Sequence, residues 1–321
     1  MGRLIFSLIV IIGGLTLGQI VYKVTKSKSE TIRKKIEKTV FFFRNIAFLG
    51  LGPFLSMSAF WIVDIRNISI VAVPFIGLGA LVLGSVSALV LGKIFKHSRQ
   101  QKGSMFSCGS SSNIGTIGSL ICFAFFGELG FAFCGLYRIF ELPYYATVLF
   151  PAAKSFSDVG KQTDSKWYIR LIKDPIIVIY FGCIIIGLVL NLTGVKRPAF
   201  IAPLNSALIP ISSLFLITAI GYSMRFSKIS NYKKEILGIA AIKFVLTPLI
   251  VITSSLLLGL HHIGDGVLFG SLVILSALPC GFNSLIPVQM YKLDINLANS
   301  CWIVTTTSLV VVVPVIWLFV G

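Results

Sequence analysis

Two short strings carry residue types that are hard to place in so apolar a chain: "CGSSSNIGTIGSL" at 108–120 and "LPCGFNSLIPV" at 278–288. Each holds an asparagine, Asn113 or Asn283, whose side-chain amide both donates and accepts hydrogen bonds. Around them Ser112, Gly115, Pro279 and Gly281 favour interruption of a helical ladder, through glycine's backbone freedom or proline's missing N–H. A half-helix that starts at such a break presents unpaired N–H groups and roughly half a positive elementary charge, which suits a carboxylate. One such string reads equally as a kink or a small-residue packing face. Two strings in matching places point to a shared site.

Three charged residues fall where an apolar span is expected, and each costs about 2.5–3.5 kcal/mol there. Arg138 and Glu141, in "LYRIFELPYY", are spaced i, i+3 and can pair on one helix face. As a pair they neutralise one another; as a site, Glu141 is a candidate proton carrier and Arg138 a candidate partner for an anion. Lys243, in "AAIKFVL", is a candidate fixed cation at the same depth or a partner for a nearby carboxylate. Arg44 lies near a span end, where its stem can reach the interface. Glu128, Asp265 and Asp294 are expected at solvated span ends.

Positioning these residues falls to membrane spans. The chain of 321 residues is 56% hydrophobic and 12% charged, with a mean hydropathy of +0.93, outside the range of soluble domains. The pattern predicts an all-α integral membrane protein. Apolar runs of about 20 residues fall at 4–22, 40–63, 68–92, 105–127, 130–152, 175–193, 199–224, 235–260, 266–290 and 295–320. The first is too long for a signal peptide and is read as a retained span. Of the 28 Lys and Arg residues, 21 fall in loops on one side of this layout and four on the other. That asymmetry makes the basic side cytoplasmic and places both termini outside it. The formal charge of +17 thus reports topology, since no contiguous basic domain exists to bind nucleic acid.

Ten spans divide into two sets of five, and an odd-numbered unit repeats upside down. The expected domains are therefore 1–153 and 175–321, two inverted five-helix repeats joined by a cytoplasmic linker at 154–174. Crossed, broken helices are expected at spans 4 and 9. Aligning Asn113 with Asn283 sets Ser111 against Gly281 and Ser112 against Phe282.

At this point the chain resembles the auxin efflux carrier family of secondary transporters, related to the bile acid/sodium symporters. The resemblance lies in "SSNIGTIGSL", "FGELG" at 126–130, "ITAIGYSM" at 217–224 and "ALPCGFNSLIPVQMYKLDINLANSCWIVTTTSL" at 277–309. Only about twenty residues separate spans five and six, as in compact prokaryotic members, some of them carriers of malate or malonate. The resemblance implies a scaffold of spans 1, 2, 6 and 7 through which two copies dimerise. It also implies a transport domain of spans 3–5 and 8–10 that moves as an elevator in the plasma (inner) membrane.

The reading is of a carrier for a small organic anion, with lipid as its surroundings and protons or sodium as coupling ions. A sodium symporter of the bile acid type is the alternative, with Ser110, Thr116 and Asn283 as oxygen ligands. An enzyme is not expected: there is no H-E-x-x-H, no G-x-S-x-G and no histidine within a span. The six cysteines show no C-x-x-C spacing, so no cofactor or metal site is expected. A membrane ligand sensor would need a longer soluble segment.

Overall fold

The computed structural model describes residues 2–63, 68–157, 175–225 and 229–320. Most of the expected linker 154–174, together with Arg66 and Lys228, lies outside the described residues. The described chain is helical, and its extended backbone is limited to loops and one isolated antiparallel bridge. Six helices are long and apolar enough to cross a membrane: Ile5–Lys26, Glu30–Phe60, Ser69–Ile94, Ile114–Ser155, Ile201–Ser223 and Ile229–Leu257. A seventh crossing forms if Ile295–Thr307 and Leu309–Val320, bent by 46°, count as one. Large apolar side chains such as Leu237, Leu257 and Phe319 are 70%, 82% and 78% exposed. Water would penalise such an exterior and hydrocarbon does not. The chain is a multi-pass helical membrane protein.

The gap between six or seven spans and the ten expected has local causes. Ile114–Ser155 contains 42 residues, about 60 Å if continuous, roughly twice the hydrocarbon thickness. Its helical conformation is lost at Gly127, where φ is 64° and ψ −150°, a conformation that only glycine adopts freely. Beyond it, helical geometry gives way again at Arg138–Phe140 before Glu141–Tyr144. Arg99–Ser110 is shortened by a stop at Ser110, and Val267–Ser276 by a stop at Ser276. Ile114–Ser155 thus joins shorter pieces in one count, while Arg99–Ser110 and Val267–Ser276, at 12 and 10 residues, are each too short to cross alone.

Glu128, expected to be solvated, instead anchors a polar knot beside the Gly127 reversal. Arg197 grips it bidentately, Nη2 to Oε2 at 2.6 Å and Nη1 to Oε1 at 3.2 Å. Asn205 Nδ2 donates to Oε1 at 2.6 Å and also bonds Ser58 Oγ. The knot ties together the ends of Gly52–Phe60, Ile201–Ser223 and the reversal. Asp294, also expected in solvent, caps Ile295–Thr307 by accepting from Leu297 N at 3.0 Å and from the Tyr232 hydroxyl.

Close helix approach sets the depth of the interior site. Gly84 and Gly109 face each other, and a Cβ on either would strike the carbonyl of the other. This brings Ser69–Ile94 against Arg99–Ser110 and leaves the Gly109 carbonyl within reach of the helix that carries Lys243.

Candidate functional site

Arg99–Ser110 opens on a capping box between Ser98 and Gln101 and ends where Ser111 turns extended, at φ −125° and ψ 134°. Helix resumes at Ile114. In the second string the chain leaves Val267–Ser276, is extended at Gly281, and re-forms helix at Leu285–Met290. The two breaks lie side by side and antiparallel, with Ser112 opposite Cys280. Asn113 N donates to the Pro279 carbonyl at 3.0 Å, and Gly281 N donates to the Ser111 carbonyl at 3.1 Å. A third donor, Cys280 N, reaches Thr305 Oγ1 at 3.2 Å. Backbone groups that would cost several kcal/mol in lipid are thus paired across the crossing. Gly281 is required for this approach, because a Cβ there would enter the Ser111 hydroxyl and the Ser112 backbone.

Lys243 is 2% exposed and lies behind the first break. Its ammonium donates to the Gly109 carbonyl at 2.8 Å and to Ser112 Oγ at 2.9 Å. It therefore places a positive charge at the C-terminal end of Arg99–Ser110, where the helix dipole is negative. It does not line the cavity described below.

Arg138 and Glu141 pair as their spacing predicts, Nε to Oε2 at 2.8 Å, with Glu141 3% exposed. The second carboxylate oxygen accepts from the Tyr145 hydroxyl at 2.9 Å, and that hydroxyl lies 3.1 Å from Ser111 Oγ. The Arg138 guanidinium lies against Gly115, where a Cβ would displace it, and 5.7 Å from the Tyr180 ring. Its Nη1 and Nη2 have no hydrogen-bond partner among the described residues.

A cavity of about 260 Å³ opens at the crossing. Ser112, Asn113, Thr116, Arg138, Glu141 and Asn283 supply its polar wall, with Gly115 and Gly281 as close backbone approaches. Arg44 also lines it, with its guanidinium 4.8 Å from the Phe41 ring. A smaller cavity of about 50 Å³ shares Gly115 and Arg138 and continues along Ser56, Ser119 and Tyr180. Arg138 thus touches both spaces. Asn113 lines the larger one, and its Nδ2 is buried with no partner among the described residues.

Seven of the nine residues singled out from sequence line this cavity: Ser112, Asn113, Gly115, Arg138, Glu141, Gly281 and Asn283. Pro279 contributes its carbonyl to the crossing, and Lys243 braces it from behind. Sequence reasoning assigned Arg44 to the interface and did not single out Tyr145. It also missed four π-helical turns, at Ile46–Leu51, Ile114–Gly118, Tyr145–Leu149 and Ile242–Leu246. Phe48, Gly115, Tyr145 and Lys243 sit on them, each touching the site or its supports. Such widened turns re-aim side chains inward.

Fold and site together define a helical membrane protein with a small polar cavity, lined by a buried Arg138–Glu141 pair, beside two interrupted helices. No family model matches the chain. It is similar to a protein of Methanocaldococcus jannaschii described as an uncharacterized transporter, 27% identical over 248 residues that cover 74% of this chain and 75% of that protein.

Proposed function

We propose that the protein is a secondary active transporter for a small organic anion, and that the cavity at the crossed breaks is its substrate site. The observation that carries this is the convergence of unmet donors. Arg138 offers Nη1 and Nη2, Asn113 offers Nδ2, and the half-helix beginning at Ile114 offers its positive end. Arg138 and Asn113 both line the same cavity of about 260 Å³, and a carboxylate is the ligand chemistry that these donors suit. Similarity to a described transporter supports the transport role.

In this reading the chain has ten spans in two inverted five-helix repeats, 1–153 and 175–321, joined by the linker 154–174. The antiparallel pairing of the breaks and the loss of helical conformation at Gly127 support that count. Spans 1, 2, 6 and 7 form a dimerising scaffold in the plasma (inner) membrane, and spans 3–5 and 8–10 carry the anion past it with both termini outside. Asn113 and Asn283 orient the anion, Arg138 meets its carboxylate, and Lys243 fixes the first break. The auxin efflux carrier resemblance makes malate and malonate the first substrates to test. Protons are favoured over sodium as the coupling ion, since Glu141 is the cavity's only carboxylate among the described lining residues.

Uptake of labelled malonate or malate into proteoliposomes tests the reading. Asn113→Ala and Asn283→Ala should each lower uptake at least tenfold while inserting normally. Wild-type uptake by both variants removes these residues from the site, and failure of wild type to bind or move any dicarboxylate removes the anion assignment.

A further inference from the structure

We infer that Glu141 binds a proton together with the anion, so that one proton enters the cavity for each anion that binds. The inference rests on the anion reading above and deepens it.

Charge balance around the cavity is the starting point. Arg138 and Glu141 together sum to zero, are 2.8 Å apart and are themselves mostly buried. Lys243 faces away, held by the Gly109 carbonyl and Ser112. Arg44, from Glu30–Phe60, also lines the cavity, but its guanidinium is engaged by Asn45 Oδ1 and the Phe41 ring. An anion that reached Arg138 while Glu141 stayed ionised would leave two negative charges sharing one guanidinium, and like charges at that range oppose each other strongly in a low dielectric. A proton on Glu141 removes one of them and frees Arg138 for the incoming carboxylate.

The hydrogen bonds around Glu141 accept either protonation state without leaving a group unpaired. With Glu141 ionised, Tyr145 Oη donates to Oε1 at 2.9 Å and Arg138 Nε donates to Oε2 at 2.8 Å. With Glu141 protonated, its new O–H donates to Tyr145 Oη, and Tyr145 turns its own proton to Ser111 Oγ, already 3.1 Å away. Arg138 Nε keeps its acceptor in both states. The remaining titratable neighbours are Tyr137 and Cys134, on the same helical stretch, and Tyr180, which faces Arg138 from Pro175–Leu192. None of these carries a second carboxylate that would take the proton instead. The proton comes from water in the cavity and returns to water when the anion leaves, so no other reactant is needed.

The placement also explains a feature that a plain ion pair leaves idle. Glu141 engages Arg138 through Nε alone, leaving the two terminal nitrogens of this cavity-lining residue without a partner among the described residues. A carboxylate can take those two nitrogens in the bidentate geometry that guanidinium favours.

The experiment uses the full-length protein in lipid nanodiscs, with carbon-13 malonate as the probe. Infrared spectroscopy follows the carbonyl band of a protonated carboxylic acid against pH, and calorimetry in two buffers of different ionisation enthalpy counts protons taken up. Wild type should show a band that is missing in Glu141→Gln and that malonate shifts to higher pH. Malonate affinity, level at low pH, should fall about tenfold per pH unit between the free and bound midpoints and level off above them. Calorimetry on wild type, which needs no variant to fold, should count about one proton per malonate. Glu141→Gln should bind malonate without the pH-dependent term that remains after malonate's own protonation is subtracted. Malonate binding with an unmoved band and no proton uptake overturns the proton site and leaves the anion reading standing. Absence of any malonate response at any pH overturns both.

Discussion

The two breaks at the crossing share a backbone plan and differ in the groups that support them. At the first, an ammonium from Lys243 lies on the Gly109 carbonyl, and the Arg138–Glu141 pair stands beside the restarting helix. At the second, the described partners are uncharged: Thr305 Oγ1 receives Cys280 N, and Ser276 bonds within its own turn to the Val273 carbonyl. Two breaks can share a geometry, half-helices meeting at an extended stretch, without sharing the same chemistry. The asymmetry lets one break act as the charged wall of the cavity and the other as its neutral counterpart, with Asn283 and Phe282.

Breaking the charged side should cost most. Arg138→Gln strands Glu141 without its counter-charge, and a buried charge left alone costs about 3–5 kcal/mol. Thermal unfolding should show this, with most of the loss recovered in the Arg138→Gln, Glu141→Gln double variant. Next come the two glycines, which separate structure from binding. Gly281→Ala drives a Cβ into the facing Ser112 backbone and should cost about 1–3 kcal/mol of stability. Gly115→Ala meets the guanidinium of Arg138 rather than backbone at its three nearest atoms, so it should cost less stability than Gly281→Ala while weakening malonate binding tenfold or more. Equal effects of both glycines on stability would contradict the division of roles between the breaks. Lys243→Met removes two buried hydrogen bonds and a helix-end charge, with an expected loss of about 1–3 kcal/mol. Thr305→Val, its nearest equivalent at the second break, should lose about 1 kcal/mol. A Thr305→Val loss as large as that of Lys243→Met would mean that the two breaks are supported alike.

The breaks themselves were legible because Gly-Ser-Asn and Pro-Cys-Gly strings have no good reason to interrupt a lipid-facing helix. The Arg138–Glu141 pair was legible from its spacing, although the contact forms across the turn at Arg138–Phe140, closed by Glu141 N on the Arg138 carbonyl, and not along a helix face. What resisted reading were features set by packing. Lys243 reads as a free cation until the Gly84–Gly109 approach brings a carbonyl to it. Glu128 reads as a solvated span end because Arg197 and Asn205, its partners, are distant in sequence. The π turns leave a trace in the sequence: Pro53, Pro151 and Pro248 each sit just after one. A proline lacks the N–H for the preceding turn and crowds its carbonyl, so a widened turn upstream is one way to absorb it.

Reciprocal pairing of the breaks has a consequence for how the chain is made. Asn113 N and the Ser111 carbonyl find their partners only in residues 279–281, synthesised roughly half a chain later. Until then the first half holds two unpaired backbone groups at a depth where lipid offers nothing to bond them. A fragment ending before Val267 should therefore be an unstable intermediate that keeps its break near water or another protein, and the fold closes only when the second string arrives.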